Sequence, residues 1–343
     1  MSYRKYPALR QALLDSGAII ADGCWIRGRK AIGYRLGPDF ENVRHQRVRI
    51  TNARLIKNLK KEQGKEIKGP KLDVHKHLES WLHELEVNYD DALTRIQEDF
   101  YIHELSAAMI RDKQWYFVAD KYGRVHTNVS NLKSSIRPAL RYKGEPLVGI
   151  DIKNSQPFFL GVLLADMYSN KGSLSVSYNL LRTSPPHPLP LRCDILPPDV
   201  SQFLDLAAGG ELYEFIAAHS GCEITDRRTF KQKLFAEIFF CKNHPWETDY
   251  SKLFGQLFPN VYQSIKKLKE KDYTNLAKLL QRVESSAIIN GVIRLCMEDH
   301  PSMPVFTIHD SFLTTAAWVD QLCGLICQEF TKIGIIPKLR IEN

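Results

Sequence analysis

The stretch Val305-Phe306-Thr307-Ile308-His309-Asp310-Ser311-Phe312-Leu313-Thr314-Thr315 decides how this chain is read. Two β-prone apolar runs enclose a short polar centre, the pattern of a tight hairpin with His309 and Asp310 at its tip. A carboxylate on a rigid hairpin tip suits metal binding, because its position is fixed before any ligand arrives. The same Asp fits a plain turn, where its side chain bonds the local backbone. The chemistry therefore depends on a partner elsewhere.

Working outward, residues 115–152 supply one. Trp115-Tyr116-Phe117-Val118-Ala119 is strand-like, Tyr122-Gly123-Arg124-Val125 turns, and Leu147-Val148-Gly149-Ile150-Asp151-Ile152 is a second strand. An acid among apolar and β-branched neighbours is costly to bury without a metal or a cation. Asp151 is thus the natural partner of Asp310.

Bulk properties bound the remaining possibilities. With 343 residues and 44% apolar content, the chain can bury a sizeable core, in one large domain or two to three subdomains. No apolar run reaches the roughly 18 residues needed to cross a bilayer. Met-Ser-Tyr-Arg-Lys-Tyr at the N-terminus is followed by no signal-type apolar core, so a soluble, cytoplasmic protein with no membrane partner is expected. The seven cysteines are scattered, with no Cys-x-x-Cys pair, which argues against a disulfide framework or a zinc knuckle. Cys323 and Cys327, one helical turn apart on an apolar stretch, read as core. The net charge of +8 is concentrated: Arg27 to Lys71 holds fourteen Lys or Arg against four acids. A localised basic segment is the footprint of a polyanion partner, most often nucleic acid, although a solvated basic face has the same composition.

Along the chain, residues 1–25 open with an amphipathic helix. Arg44 to Thr51 alternates like a short strand with a cationic face, and Lys57 to Lys68 reads as a loop closed by Gly69-Pro70. Asp73 to Asp112 has helical spacing and is read as two antiparallel helices broken at Asn88-Tyr89-Asp90-Asp91. Asn154–Met167 is an apolar helix, with Pro157 in its first turn and Ser155 or Asn154 as its cap. Six prolines between Pro185 and Pro198 exclude helix and central strand. Residues 201–300 are helical again. Within them Arg227, Lys231, Phe235 and Phe239 are spaced by four and share one helical face. Cations followed by aromatic rings fit a nucleoside triphosphate, with phosphates on the cations and a ring against sugar or base; two core phenylalanines on a basic helix would look the same. A helix at Lys278–Met297, a second at Trp318–Ile333 and a last strand at Ile335–Ile341 complete the chain.

The Asp-bearing strand, the Arg-Lys-aromatic helix and the His-Asp hairpin resemble, in order, motifs A, B and C of family A DNA polymerases and the related phage-type single-subunit RNA polymerases. Motif A is matched by Val148-Gly149-Ile150-Asp151 with Ser155-Gln156, motif B by Arg227-Arg228-x-x-Lys231 with Phe235 and Phe239, and motif C by Ile308-His309-Asp310-Ser311. Gly123-Arg124-Val125-His126-Thr127 with Asn131-Leu132 and Arg137 is similar to the motif at the entry to the palm. Gln281–Ile289 resembles the helix before motif C, with Glu284 in the place of its polar residue. The matches span about Trp115 to Thr315. Departures are Ser311 where the DNA polymerases have Glu, Phe239 where a tyrosine is usual, Phe240 in place of a glycine, and a longer motif A.

The resemblance implies an α+β right-hand fold: a palm with an antiparallel sheet, helical fingers and a reduced helical thumb. It lays these out as a basic N-terminal region over 1–72, a thumb-like helical region over 73–114, the first part of the palm over 115–170, fingers and connecting helices over 171–300, and the second part of the palm over 301–343. It implies a nucleotidyltransferase of the DNA polymerase type that extends a primer 3′-hydroxyl, with two Mg²⁺ ions, replaceable by Mn²⁺, on Asp151 and Asp310. Lys231 and Arg227 would neutralise triphosphate charge, with Lys231 counted among the catalytic groups. Phe235 would lie near the incoming sugar, Phe239 near the templating position and Gln156 at the sugar-discriminating position. Arg124, Arg137, Glu284 and His309 would contact the primer-template, DNA with RNA as an alternative. Deoxynucleoside triphosphates are the expected substrates; Ser311 points instead to the phage-type RNA polymerases, so an RNA polymerase or primase stays open. A two-metal nuclease also uses paired Asp but has no need of the motif B comb. A binding protein on a degenerate polymerase fold has no reason to keep a buried Asp. No paired acidic strands precede the palm motifs, so proofreading is expected to be absent. A bacterial, phage or mobile-element setting follows by analogy with compact relatives.

Overall fold

The computed structural model describes residues 6–26, 30–41, 43–46, 48–63, 72–97, 100–169, 196–220, 231–232, 234–243 and 247–342. In chain order the helices are α1 Tyr6–Asp15, α2 Ala53–Gln63, α3 Asp73–Leu82, α4 Tyr89–Thr94, α5 Phe100–Arg111, α6 Ser155–Ser169, α7 Pro198–Gly209 and α8 Leu212–Ser220. They continue with α9 Asp249–Leu257, α10 Pro259–Leu268, α11 Asn275–Ser285, α12 Ile293–Asp299 and α13 Val319–Ile333. The strands are β1 Ile19–Ala21, β2 Tyr34–Leu36, β3 Leu85–Val87, β4 Phe117–Ala119, β5 Val125–Thr127, β6 Leu140–Tyr142, β7 Glu145–Ile152, β8 Phe306–Ile308, β9 Ser311–Thr315 and β10 Leu339–Glu342. Helix and antiparallel sheet are mixed, as the α+β reading expects.

Two compact units divide the chain. The first contains Met1–Pro70, His83–Val118 and Thr127–Pro146. Here β1 pairs β2, and β3 pairs β6, which continues onto the first two residues of β7. Buried Glu104 on α5 accepts from the backbone N–H and the ring of His45 and from the Tyr89 hydroxyl, while Arg111 sits over the Tyr89 ring at 4.1 Å. That carboxylate ties part of the basic segment to a folded core.

The second unit contains Lys71–Leu82, Ala119–His126 and Leu147–Asn343. Its sheet is antiparallel, in the order β10-β7-β9-β8. The helix α6 is buried almost all round, which is why its sequence is apolar without a polar stripe. Phe158 of α6 meets Phe330 of α13 edge-to-face at 5.4 Å. Both rings are fully buried, and each contributes about 1.5–3 kcal/mol by leaving water. On α11, Leu276, Leu279, Leu280 and Val283 repeat at three- and four-residue steps and are all buried.

The helices α6 and α7 approach closely at Gly161, where a Cβ would lie 2.6 Å from Leu204 Cδ1 and 3.3 Å from its Cα. Backbone as well as side chain would have to move. Gly161→Ala is therefore expected to cost about 1–3 kcal/mol, read as a lower midpoint in urea unfolding.

Several sequence expectations are corrected. The helical pair expected over 73–112 does not form: Leu85–Val87 is a strand that pairs with Leu140–Tyr142, and α3 belongs to the second unit while 83–118 belongs to the first. A separate thumb-like region over 73–114 is thus not a compact body, because the strand pairing ties its later half to a segment about fifty residues away. A helix spans 53–63 and so covers 57–63 of the loop expected over Lys57–Lys68, and the described part of 44–51 forms no strand. Cys323 and Cys327 are half-buried and not in the core. The proline-rich run from Pro185 falls outside the described residues until Leu196.

Candidate functional site

The site lies in the second unit and is built on β7. Register places Ser311 of β9 directly opposite Asp151 on one side and Arg340 of β10 directly opposite it on the other. Directly opposed residues share a sheet face, so three polar side chains converge. Ser311 Oγ donates to Asp151 Oδ1 at 2.6 Å, and Arg340 Nη2 lies 3.5 Å from Asp151 Oδ2. Burial foremost pushes the Asp151 carboxyl above its ordinary range. The Ser311 bond opposes this, the charge of Asp310 adds to it, and Arg340 and Lys231 oppose it more weakly.

The β8–β9 hairpin closes through a two-residue turn, His309-Asp310, since Ile308 pairs with Ser311. His309 has φ +56, a left-handed conformation that His adopts more readily than most residues. The Asp310 carbonyl accepts from the Ile152 N–H at 3.4 Å, fastening the tip to β7 beside Asp151. The His309 ring meets His126 edge-on at 5.7 Å, and His126 Nε2 lies 3.3 Å from Asp120 Oδ2. Asp120 Oδ1 also accepts from the backbone N–H groups of Tyr122 and Arg124, which shapes the turn carrying Arg124.

A second polar cluster surrounds Glu284. Arg124 donates to it through Nε and Nη2, both at 2.9 Å, and Gln156 Nε2 donates at 2.7 Å. Glu284 is almost fully buried. Burial foremost raises its carboxyl to about 7; Asp310's charge adds to the rise, while Arg124 and Gln156 pull against it. The folded chain therefore keeps a proton that an unfolded Glu releases near 4.5. Stability is expected to fall as pH rises from about 4.5 to about 7, because the folded state binds more protons across that window. Glu284→Gln should flatten this part of a curve of unfolding free energy against pH.

Lys231 is exposed and stands over the Phe235 ring at 5.8 Å, as the four-residue spacing requires. Its charge favours ionised Asp151, so this cation is within electrostatic reach of the carboxylate. Beyond it the helix widens into a π-helical turn, Phe235–Phe239. Phe239 is fully buried against Phe235 and Phe254, whereas Phe240 is partly exposed and stacks on Phe235 at 5.5 Å with planes 10° apart. The expectation of Phe239 at a templating base is corrected here: its ring is closed into the core and backs Phe235, and Phe240 presents the accessible face. Buried Lys269 holds the end of this turn through the carbonyls of Ile238 and Cys241, at 2.6 and 3.2 Å.

The second unit thus brings together Asp151, Asp310, Lys231, Phe235, Gln156, Arg124, Glu284 and His309. Arg137 belongs to the first unit, where its Nε donates to the Leu132 carbonyl at 3.2 Å. Arg227 falls outside the described residues. Sequence reading did not single out Arg340, Lys269 or the bond from Ser311 to Asp151. The signal for Arg340 was a cation between apolar residues in the last strand, but only the register says which residue it faces.

Among the described residues no group of three or more His, Cys, Asp or Glu side chains could hold a metal ion by itself. The pair Asp151 and Asp310 supplies hard oxygen donors, and a guanidinium already stands beside Asp151 where a cation is favoured. This donor set fits Mg²⁺, which binds through one or two carboxylates and takes its other ligands from water and substrate phosphates.

No protein-family model matches the chain, and no curated protein matches it. Among solved structures, it is similar to the POL domain of Pol1 from M. smegmatis in complex with DNA primer-template and dNTP, at 13% identity and a TM-score of 0.33. The match covers 74% of this chain and 49% of that one, so the chain spans about half the length of that structure. A likeness of that size carries no argument about activity. Among the described residues no helix is long and apolar enough to cross a membrane.

Proposed function

We propose that this chain is a template-directed nucleotidyltransferase, a DNA polymerase that extends a primer 3′-hydroxyl with deoxynucleoside triphosphates and carries no proofreading activity. The observation that carries the reading is Asp310, on the hairpin turn fastened to β7 beside Asp151, close enough for its charge to act on that carboxyl, with Lys231 in electrostatic reach. Two like charges that act on each other call for a cation, and the exposed Lys231 gives an incoming triphosphate something to meet. In this reading the second unit provides the palm and part of the fingers of a right-hand fold.

Asp151 and Asp310 would hold two Mg²⁺ ions, which supply Lewis acidity at the primer hydroxyl and at the phosphates of the leaving pyrophosphate. Ser311 fixes Oδ1 of Asp151 by its hydrogen bond, and Oδ2, which faces Arg340, would be the oxygen offered to an ion. Lys231 neutralises charge on the triphosphate as it builds in the transition state. Phe235 and Phe240 offer a stacked aromatic surface to a sugar or base. The Arg124–Glu284–Gln156 cluster holds Gln156 in one place, as a sugar-discriminating contact must be. His309 faces the primer end, and the basic segment of the first unit tracks nucleic-acid backbone with salt-dependent affinity.

Extension of a labelled primer on a DNA template, with Mg²⁺ and either dNTPs or NTPs, tests this. Growth with dNTPs supports the DNA polymerase. Growth confined to NTPs moves the chain to the RNA polymerase or primase reading, which the serine at position 311 favours. Degradation of the primer without growth would establish a nuclease, and excision of a mismatched primer end would overturn the absence of proofreading.

A further inference from the structure

The chain itself places a cation beside Asp151. Arg340 faces it across the β10–β7 ladder with Nη2 at 3.5 Å from Oδ2. That is longer than the roughly 2.7–2.9 Å of a tight charge-assisted hydrogen bond, so the guanidinium rests against the carboxylate without being locked to it. The same Nη2 also bonds Glu342 Oε1. Glu342 lies two residues on, hence on the same face of the strand. The side chains of Arg340 and Glu342 are 55% and 53% exposed, so both can swing without disturbing the core. Across the opposite ladder, the β9 residue that faces Asp151 is Ser311, a neutral donor.

We propose that Arg340 serves as a placeholder cation for Asp151, displaced towards Glu342 when a divalent ion binds, so that this C-terminal strand sets how much divalent ion the site requires. The inference rests on reading Asp151 and Asp310 as metal ligands. A divalent ion carries twice the charge of a guanidinium and is drawn by the neighbouring charge of Asp310 as well, so it wins the exchange at sufficient concentration. Glu342 keeps the released Arg340 paired and lowers the cost of letting it go. Arg340 is thus a positioning residue that acts through Asp151. A site with one cation always in attendance also avoids leaving Asp151 and Asp310 to repel each other when metal is scarce.

The test is direct Mn²⁺ binding to the full chain, followed by the loss of the free-ion paramagnetic resonance signal, alongside the Mg²⁺ midpoint for primer extension. Arg340→Gln is expected to tighten Mn²⁺ roughly five-fold, the upper range for a partly exposed ion pair, and to lower the Mg²⁺ midpoint in step. Glu342→Gln, which strands Arg340 on Asp151, is expected to weaken Mn²⁺ binding. Binding that Asp151→Asn abolishes, but that neither Arg340→Gln nor Glu342→Gln alters, would overturn the placeholder role and leave the metal site intact. No Mn²⁺ binding sensitive to Asp151→Asn would remove the metal site itself and this inference with it. Loss of extension in Arg340→Gln at unchanged Mn²⁺ affinity would also overturn the proposal, since Arg340 would then be contacting substrate.

Discussion

Asp151→Asn and Asp310→Asn are each expected to lower primer extension at least about a thousand-fold, the scale of losing a preorganised electrostatic group at a developing charge. Their effects on stability should not follow the activity. Burial and the charge of Asp310 make the ionised form of Asp151 unfavourable in the folded chain. Asparagine removes that charge and can still accept the Ser311 hydrogen bond. The melting temperature of Asp151→Asn should therefore stay level or rise while extension disappears. That split separates a functional acid from a structural one, because a carboxylate that held the sheet together would take the fold with it. A melting temperature that drops in parallel with activity would make Asp151 a structural residue. Retained extension in either variant would remove the two-carboxylate reading.

The second large effect is expected at Arg124. Its guanidinium is the bidentate partner of a carboxylate that is only about 1% exposed. Arg124→Met leaves Glu284 buried with Gln156 as its remaining hydrogen-bonding neighbour of the pair, a change that costs about 3–5 kcal/mol when one half of a buried ion pair is removed. The melting temperature should fall by roughly 10 °C. Glu284 already favours its protonated form up to about 7, and losing Arg124 pushes it further the same way. The penalty should accordingly be largest above pH 7 and shrink in acid, where Glu284 is neutral in both states. Adding Glu284→Leu to Arg124→Met should restore most of the loss, since an apolar pair of similar volume needs no charge compensation. Calorimetry of the two variants and the double variant at pH 5 and pH 8 checks both claims. A pH-independent loss, or a double variant no better than the single one, would mean that Arg124 stabilises through packing and not through its charge.

Local pattern was enough to read the strand carrying Asp151, the apolar helix after it and the His309-Asp310 hairpin. Each is a continuous stretch whose side-chain period matches its structure, and the hairpin turn involves only two residues. The same logic found the common face of Lys231 and Phe235. It failed where long-range pairing overrides local propensity. Leu85–Val87 lies in a helical pattern yet is a strand, because Leu140–Tyr142 offers it a ladder. Phe239 has the spacing of a ligand-facing ring and is buried, because the helix widens into a π-turn there and Phe254 closes over it.

By itself, then, the sequence determined which residue types carry chemistry: two Asp in β-rich surroundings, a Lys-aromatic helix, and an acid in the helix before the hairpin. Their company was decided by tertiary structure. Strand register set Ser311 and Arg340 on either side of Asp151, and helix packing buried Glu284 against Arg124 and Gln156. Those partners lie 128 to 189 residues apart in the chain, too far for any local period to encode. Register is fixed only when whole strands choose their neighbours, and a slip of one residue would turn Arg340 to the opposite face from Asp151.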